Sequence, residues 1–207
     1  GSHGYCSGQL ATFDGTPQVL MISNYGIQSF DPNSGAMLWE HEWALEGFAR
    51  IVQPLLVGDD SVLIGSGFGD GSRLLRISRS NGDWSVEERW TTKKYKPYFN
   101  DQILHNDHVY GYHGNSIACV DTETGDRMWK SKRMGGQVLL LPDMDVLLCL
   151  TEKGEIVLMD AAPDSYNEIA RMKAIDGKTW NHPVIAHGQL FVRNSDEMAC
   201  YELPGSH

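Results

Sequence analysis

Polar side chains recur at the starts of predicted strands that otherwise run apolar. If these strands line a common axis, the side chains face one another across it. Their amides, carboxylate and imidazole could then bind a small polar ligand, an ion or a peptide segment at the mouth of the channel. The alternative is structural, because the same groups can satisfy backbone atoms and water where strands crowd together. The candidate ligand-binding residues are Gln53, Asn100, Asp101, Gln137, Asn181 and His182, with Arg50, Tyr98 and Trp180 just upstream of three of them.

Catalytic motifs are absent from the rest of the sequence. The glycine-rich run at 65–71 is similar to a dinucleotide loop, but a phosphate loop needs a helix amino terminus after it, and 73–77 has the pattern of a strand. Glu87 and Glu88 are adjacent on a predicted strand and therefore point to opposite faces. No G-x-S-x-G precedes a helix. The sequence therefore favours binding over catalysis, and no catalytic residue is assigned.

Histidine and cysteine spacing predicts no metal site. His105, His108 and His113 flank turns of the chain, where strand alternation does not bring them together, and they are interpreted as surface histidines. The four cysteines show no C-x-x-C spacing. Cys119 and Cys200 occupy the same place in two repeats, which is typical of equivalent core positions. The other two are Cys6 and Cys149.

Bulk charge excludes several partners. The net charge of −10 and the pI near 5.1 argue against nucleic acid and anionic membranes. The basic, tyrosine-containing run at 93–98 is one short segment on this acidic chain and is interpreted as a solvated loop. No apolar run reaches the length of a membrane helix, so no membrane insertion is expected.

The elements that must position the polar residues are short strands joined by turns. Residues 31–39 and 121–129 share one pattern: Asp, two variable residues, Ser or Thr, Gly, three residues and Trp. The Asp and Ser or Thr side chains can bond turn amides, the Gly accepts a positive φ, and the Trp falls on the next strand. Because Trp90 follows an Asn-Gly turn in the same way, the pattern predicts a repeated hairpin whose tryptophans are buried.

The whole strand pattern predicts an all-β fold, a β-propeller of four-stranded antiparallel blades within residues 4–204. The predicted blades span 8–43, 50–90, 99–130, 136–173 and 181–203, and the last has three strands. We therefore expect the carboxy-terminal part of a longer propeller. A five-bladed ring with a different closure is the alternative, and an open arc would expose sheet edges through which copies could self-associate.

The hairpin repeat resembles that of PQQ-like, or quinoprotein-type, β-propellers, and the chain is most similar to their uncharacterised bacterial exported members. The resemblance is strong at 31–39 and 121–129, weaker at 81–90 and poor around Asp160. It implies an eight-bladed parent that is periplasmic or secreted. The family also contains an outer-membrane assembly scaffold and quinone-dependent dehydrogenases.

The resemblance leaves two functions open. The first is a non-catalytic scaffold without a cofactor, which holds a protein, peptide, glycan or small polar ligand. The second is part of a quinone-dependent dehydrogenase or another periplasmic enzyme, which would need PQQ and calcium. In those dehydrogenases the quinone stacks on a disulfide between neighbouring cysteines, and this chain has no Cys-Cys pair. Fold alone does not decide between the two functions.

Overall fold

The computed structural model describes residues 4–67 and 69–203, in which five antiparallel sheets follow one another along the chain. Blade 1 contains β1 (Gln9–Phe13), β2 (Thr16–Ile22), β3 (Gly26–Phe30) and β4 (Met37–Glu42). Blade 2 contains β5 (Leu55–Val57), β6 (Ser61–Ser66), β7 (Gly71–Ser80) and β8 (Asp83–Thr92). Blade 3 contains β9 (Ile103–His105), β10 (His108–His113), β11 (Ser116–Asp121) and β12 (Arg127–Lys130). Blade 4 contains β13 (Gly136–Leu141), β14 (Val146–Thr151), β15 (Glu155–Asp160) and β16 (Glu168–Lys173). Blade 5 contains β17 (Val184–Ala186), β18 (Gln189–Arg193) and β19 (Met198–Glu202).

Every sheet is a simple meander, because each strand pairs with the next one in the chain. This confirms the predicted all-β propeller architecture, and β7 follows the glycine-rich loop as expected. The first strands β5 and β9 begin at Leu55 and Ile103, several residues inside the predicted blades 50–90 and 99–130. Phe68 of the predicted loop and residue 204 of the predicted domain lie outside the described residues. The number of blades in a complete ring stays a prediction.

The only helical element within the described residues is a short 3-10 turn at Pro142–Met144. No helix in this part of the chain has the length and apolar character needed to cross a membrane.

The repeated hairpin forms as its residue types require. Asp31 Oδ1 accepts hydrogen bonds from the backbone nitrogens of Asn33 (2.9 Å) and Ser34 (2.7 Å). Gly35 then adopts a φ of 72°, a left-handed conformation that a residue with a Cβ adopts only with strain. These hydrogen bonds hold the pKa of the Asp31 carboxyl below its usual value. The turn at 121–125 has the same geometry, so local sequence alone fixes both hairpins.

Consecutive blades pack face to face through apolar clusters. Between blades 3 and 4, Tyr112 and Trp129 pack with Leu147, Cys149 and Met159. Similar clusters join blades 1 and 2, blades 2 and 3, and blades 4 and 5. Because each blade contacts only the blades beside it in these clusters, the core is a series of interfaces around an axis.

The tryptophans of the repeat tie blades together, as the pattern predicts. Trp129 Nε1 donates to the carbonyl oxygen of Ala162 in blade 4 at 2.8 Å, and Trp90 Nε1 donates to Thr122 O in blade 3 at 2.9 Å. Trp39 is also buried but donates to Gln18 Oε1 of its own blade at 2.7 Å. Trp90 is only half-buried, so the predicted burial is confirmed for Trp39 and Trp129 but not for Trp90.

One expectation about the basic run was wrong. Tyr95 is fully buried in the cluster between blades 2 and 3, while Lys93 and Lys94, which precede it, are exposed. The run is therefore not a simple solvated loop, because its tyrosine completes the core beneath it.

Blades 1 and 5 each have one uncovered face, and this face carries residues whose equivalents in the interior blades are buried. In blade 5 the paired row Val184, Phe191 and Cys200 repeats the register of Ile103, Tyr110 and Cys119 in blade 3. Cys119 is buried against blade 4, whereas Cys200 is exposed. The two cysteines are equivalent in register, as the sequence predicted, but only one of them has a blade over it in the described residues.

Candidate functional site

The candidate residues all lie where the chain enters the first strand of a blade. We call the axis lined by β1, β5, β9, β13 and β17 the hub, and the side on which these strands begin the mouth face. Since strands alternate in direction, the connections between blades and the turns between second and third strands lie on this same face. The residues chosen from the sequence as a candidate site therefore lie in the connections on the mouth face, and their use as a binding site stays a prediction.

Amide side chains in this region join neighbouring blades in a continuous belt. In the orientation that satisfies both partners, the Gln53 amide donates to Ser7 O (3.1 Å) and accepts from Ser7 N (3.2 Å). Gln102 Nε2 donates to Gln53 O at 3.4 Å. Asn100 Nδ2 donates to Gly136 O at 2.6 Å, and Gln137 Nε2 donates to Trp180 O at 3.2 Å. We call these contacts the amide belt; they fix the spacing of the first strands around the hub.

Arg50 lies inside the protein and away from the open mouth. Its side chain is 1% exposed, and Nη2 donates to Trp43 O at 2.8 Å. The guanidinium also lies 4.9 Å from the centre of the Trp43 ring. Burial lowers the pKa of Arg50 to about 10. This residue supports the connection between blades 1 and 2, and the structure does not bring it to the other candidates.

Asp101 and His182 meet across the mouth. His182 Nε2 lies 3.4 Å from Asp101 Oδ2, although the two residues precede the first strands of blades 3 and 5. Both side chains are well exposed, at 42% for His182 and 57% for Asp101. A contact between blades that are not neighbours is possible only where the first strands converge, so this pair marks the mouth of the hub.

Exposed aromatic side chains flank this pair. Trp180 is 59% exposed, and Lys178 Nζ lies 4.1 Å from the centre of its ring. Tyr98 packs edge-on against Phe99, with ring centres 5.4 Å apart, and Phe99 is 37% exposed. Large aromatic rings beside a few polar groups are the composition of surfaces that bind other molecules.

Two buried oxygens below the mouth are left without a partner. Gln102 Oε1 and Gln137 Oε1 accept no hydrogen bond within the described part of the chain. A buried acceptor that stays unsatisfied has an energetic cost, and it also provides a group that can bind a donor. In the amide belt, Gln102 and Gln137 therefore make a structural contact through the amide nitrogen and keep a free acceptor on the amide oxygen.

The described residues include no group of three His, Cys, Asp or Glu side chains close enough to hold a metal ion. The histidines on the turns have separate partners, since His105 Nε2 lies 2.6 Å from Asp145 Oδ1 while His108 Nδ1 lies 2.7 Å from Asn106 O. The cysteines do not fit a quinone clamp, because they lie apart in sequence and Cys149 is buried beside the Tyr112 hydroxyl at 2.7 Å.

Sequence reasoning missed several residues of this site. Gln102, Phe99 and Lys178 are each one or two positions from a residue that it selected. A search for every polar or aromatic residue in the connections before first strands would have found them. The sequence carries no signal that tells which of these side chains points toward a neighbouring blade and which points toward solvent.

The comparisons with known proteins agree with the fold. Residues 3–131 match the family model described as outer membrane protein assembly factor BamB. No curated protein matches the chain. BamB from Moraxella catarrhalis is 15% identical with a TM-score of 0.50, and the alignment covers 96% of this chain and 72% of that one. Sqt1 from Saccharomyces cerevisiae is 10% identical with a TM-score of 0.71, covering 95% of this chain and 60% of that one. The computationally designed protein Ika8 is 10% identical with a TM-score of 0.63, covering 94% and 57%.

The solved structures are too distant in sequence to show more than the fold, and the chain spans only part of each. The family match rests on a different basis, because it covers more than half of this sequence and includes both copies of the hairpin motif. The family model that the chain matches is described as outer membrane protein assembly factor BamB, and the chain therefore belongs to this PQQ-like β-propeller family.

Proposed function

We propose that the chain is a non-catalytic scaffold whose mouth face binds a segment of a protein partner. One observation carries this proposal, the meeting of Asp101 and His182 at 3.4 Å beside the exposed ring of Trp180. A carboxylate and an imidazole can bond backbone or side-chain groups of a peptide, and an exposed indole supplies apolar contact area. The family's description as an assembly factor supports the same function.

A peptide segment fits the mouth better than a small buried substrate. The Asp101 and His182 side chains are open to solvent, whereas enzyme sites enclose most of the surface of a substrate. The proposal needs no cofactor, and we infer a periplasmic or secreted location from the family alone.

Peptide selection tests the proposal. Random peptides displayed on phage are selected on the wild-type protein, and the selected peptides are then measured for binding to Trp180→Ala and to Asp101→Asn with His182→Gln. We expect about tenfold or greater loss in each, because exposed aromatic anchors commonly contribute that much to an interface. Met144→Ala, a change at an exposed residue in the 3-10 turn on the opposite side, serves as the control. Selected peptides that bind all variants equally would contradict the proposed site.

The dehydrogenase function is tested separately. The protein is mixed with PQQ and calcium, and dye reduction is followed with alcohols and sugars as substrates. We expect no turnover, since no neighbouring cysteines are present to stack a quinone. Turnover that saturates with PQQ would replace the scaffold proposal.

Self-association through exposed sheet edges stays a prediction, and the uncovered faces of blades 1 and 5 offer a further surface for it. Leu10, Val19 and Phe30 form a paired row on blade 1 in the register of Leu104, Val109 and Val120, the row by which blade 3 packs on blade 2. Leu10 is 69% exposed. Light scattering after size exclusion should show dimers or larger species, and Leu10→Glu should shift them toward monomer.

A further inference from the structure

A second concave surface lies on the mouth face, outside the hub and between blades 3 and 4. It is a groove of about 690 Å³, bounded by the connection 130–135, the turn 152–155 and the outer strand β16. We call it the outer groove. Its lining contains five cationic side chains on a protein whose net charge is −10: Lys130, Lys132, Arg133, Lys153 and Arg171.

Arg171 of the groove is already paired with two carboxylates. Its Nη1 lies 2.9 Å from Glu155 Oε2, and its Nη2 lies 2.8 Å from Glu168 Oε2. Tyr166 donates its hydroxyl to the same carboxylate of Glu168 at 2.8 Å. These four residues form a closed network of one cation and two carboxylates, so the positive charge of the groove comes from the other four cations.

The four remaining cations form no salt bridge, although Lys132 joins Arg171 in lowering the pKa of the Glu168 carboxyl. Within residues 4–67 and 69–203, the side chains of Lys130, Lys132, Arg133 and Lys153 form no ion pair. The one other carboxylate in the lining is Glu152, which lies over Gly135, about 3.0 Å from where a Cβ would stand. The free charge of the groove is therefore positive.

The connection that carries these cations is held in place by the turn before β11. Ser131 N donates to Ile117 O at 2.8 Å, and the Ser131 hydroxyl accepts from Ile117 N at 3.0 Å. Met134 N donates to Asn115 O at 2.8 Å. A cationic segment that is fixed before binding loses little conformational freedom when a ligand arrives, which favours affinity.

We propose that the outer groove binds an acidic peptide segment of a partner protein through its Asp or Glu carboxylates. This inference rests on the proposed scaffold function and extends it to a second contact. A peptide fits better than an acidic glycan, because sugars are held by stacking on exposed ring faces. The only ring that lines the groove in the described residues is that of Tyr166, which is half-buried and packs edge-on against Trp129 with centres 5.8 Å apart.

The test measures binding of a short fluorescein-labelled oligo-glutamate peptide and its oligo-glutamine counterpart by fluorescence anisotropy. We expect wild type to bind oligo-glutamate and not oligo-glutamine. Lys132→Gln with Arg133→Gln should weaken binding about tenfold, since two exposed charge contacts are lost. Raising the salt from about 0.05 to about 0.5 M should weaken wild-type binding as well.

A matched variant separates local from global charge. Lys93→Gln with Arg193→Gln makes the same change in net charge at exposed residues outside the groove. It should change the affinity by less than about twofold. Equal weakening in both double variants would overturn the proposal, because binding would then follow net charge. Tighter binding of oligogalacturonate or inorganic phosphate than of oligo-glutamate would also overturn it. Unchanged thermal melting verifies that both variants are folded.

The outcomes for the groove and for the mouth are distinguishable. If wild type fails to bind oligo-glutamate while phage-selected peptides still require Trp180, the groove proposal is wrong and the scaffold proposal stands. If neither probe binds, both proposals are wrong.

Discussion

The indole of Trp90 in blade 2 lies directly over Gly125, the glycine of the repeated hairpin in blade 3. A Cβ on Gly125 would stand 2.7 Å from Cδ2 and Cε3 of the indole. The same indole donates Nε1 to Thr122 O at 2.9 Å, within the same turn. The glycine of the motif thus has two functions here: it adopts a positive φ for its own hairpin, and it leaves room for the tryptophan of the preceding blade.

Gly125→Ala should destabilise the protein more than Gly35→Ala does. Both glycines have nearly the same φ, 71° and 72°, so each substitution costs about 1 kcal/mol from the backbone alone. Gly35 has no atom within 4 Å of a Cβ position, whereas Gly125 meets Trp90 and should cost about 1–3 kcal/mol more by overpacking. Urea unfolding of the two variants measures the difference. Equal destabilisation would show that the indole is not held against the turn.

Trp129→Ala should reduce the free energy of unfolding by about 3–5 kcal/mol, because a buried aromatic ring is removed from the interface between blades 3 and 4. Trp129→Phe should cost less but still lose the hydrogen bond to Ala162 O, which is worth about 1 kcal/mol. Trp180→Ala, at an exposed ring, is the control and should change stability by less than about 0.5 kcal/mol. Thermal and urea unfolding should rank the three variants in this order.

Thiol reactivity should distinguish Cys200 from the other cysteines. Burial raises the pKa of Cys6 to about 11 and the pKa values of Cys119 and Cys149 to about 12, and only the thiolate is a strong nucleophile. Cys200 is exposed. A disulfide reagent at pH 8 should therefore modify one thiol quickly in the native protein, and all of them in denaturant. Cys200→Ser should abolish the fast phase, and a fast phase that persists would contradict the burial of the other thiols.

Stability should fall as the pH drops below about 6.5, the value for an unfolded histidine. Burial and the neighbouring Arg73 guanidinium lower the pKa of His41, whose Nε2 lies 2.9 Å from Arg73 Nη1. Burial also lowers the pKa of His113. The unfolded chain then binds more protons than the folded one, so the stabilisation is complete above this pH and is lost as the pH falls through the folded pKa values.

His41→Gln tests the contribution of this residue, because glutamine can accept from Arg73 but does not titrate. Urea midpoints between pH 5 and pH 7.5 should depend less steeply on pH in His41→Gln, and less still when His113→Gln is added. An unchanged slope in the double variant would contradict the assignment.

Asn100→Ala should lower stability by about 1–2 kcal/mol, because it removes the buried donor to Gly136 O from the amide belt. Asn181 occupies the corresponding place in blade 5 but is only half-buried, so Asn181→Ala should have little effect on unfolding. Differential scanning calorimetry compares the two. A larger loss in Asn181→Ala would mean that blade 5 contributes more to the belt than its contacts suggest.

Local sequence specified most of the architecture. The residues at 31–39 and 121–129 carry the full information for their hairpins, because side-chain bonds from Asp and a left-handed glycine act within five positions. The repeat pattern also showed that Cys119 and Cys200 are equivalent, which the register confirms, but the expected core position is wrong for Cys200, which is exposed.

Tertiary structure decided how the polar residues are used. Arg50 and Asp101 both lie in connections before first strands, yet Arg50 is enclosed beside Trp43 whereas Asp101 reaches His182 two blades away. The outer groove brings residues 130–133 close to Arg171. Tyr95 is buried in the core, although the basic residues beside it in the sequence suggested an exposed loop. These contacts depend on the rotation and spacing of whole sheets about the hub. That rotation is set by the sum of all packing between blades, so no single stretch of sequence encodes it.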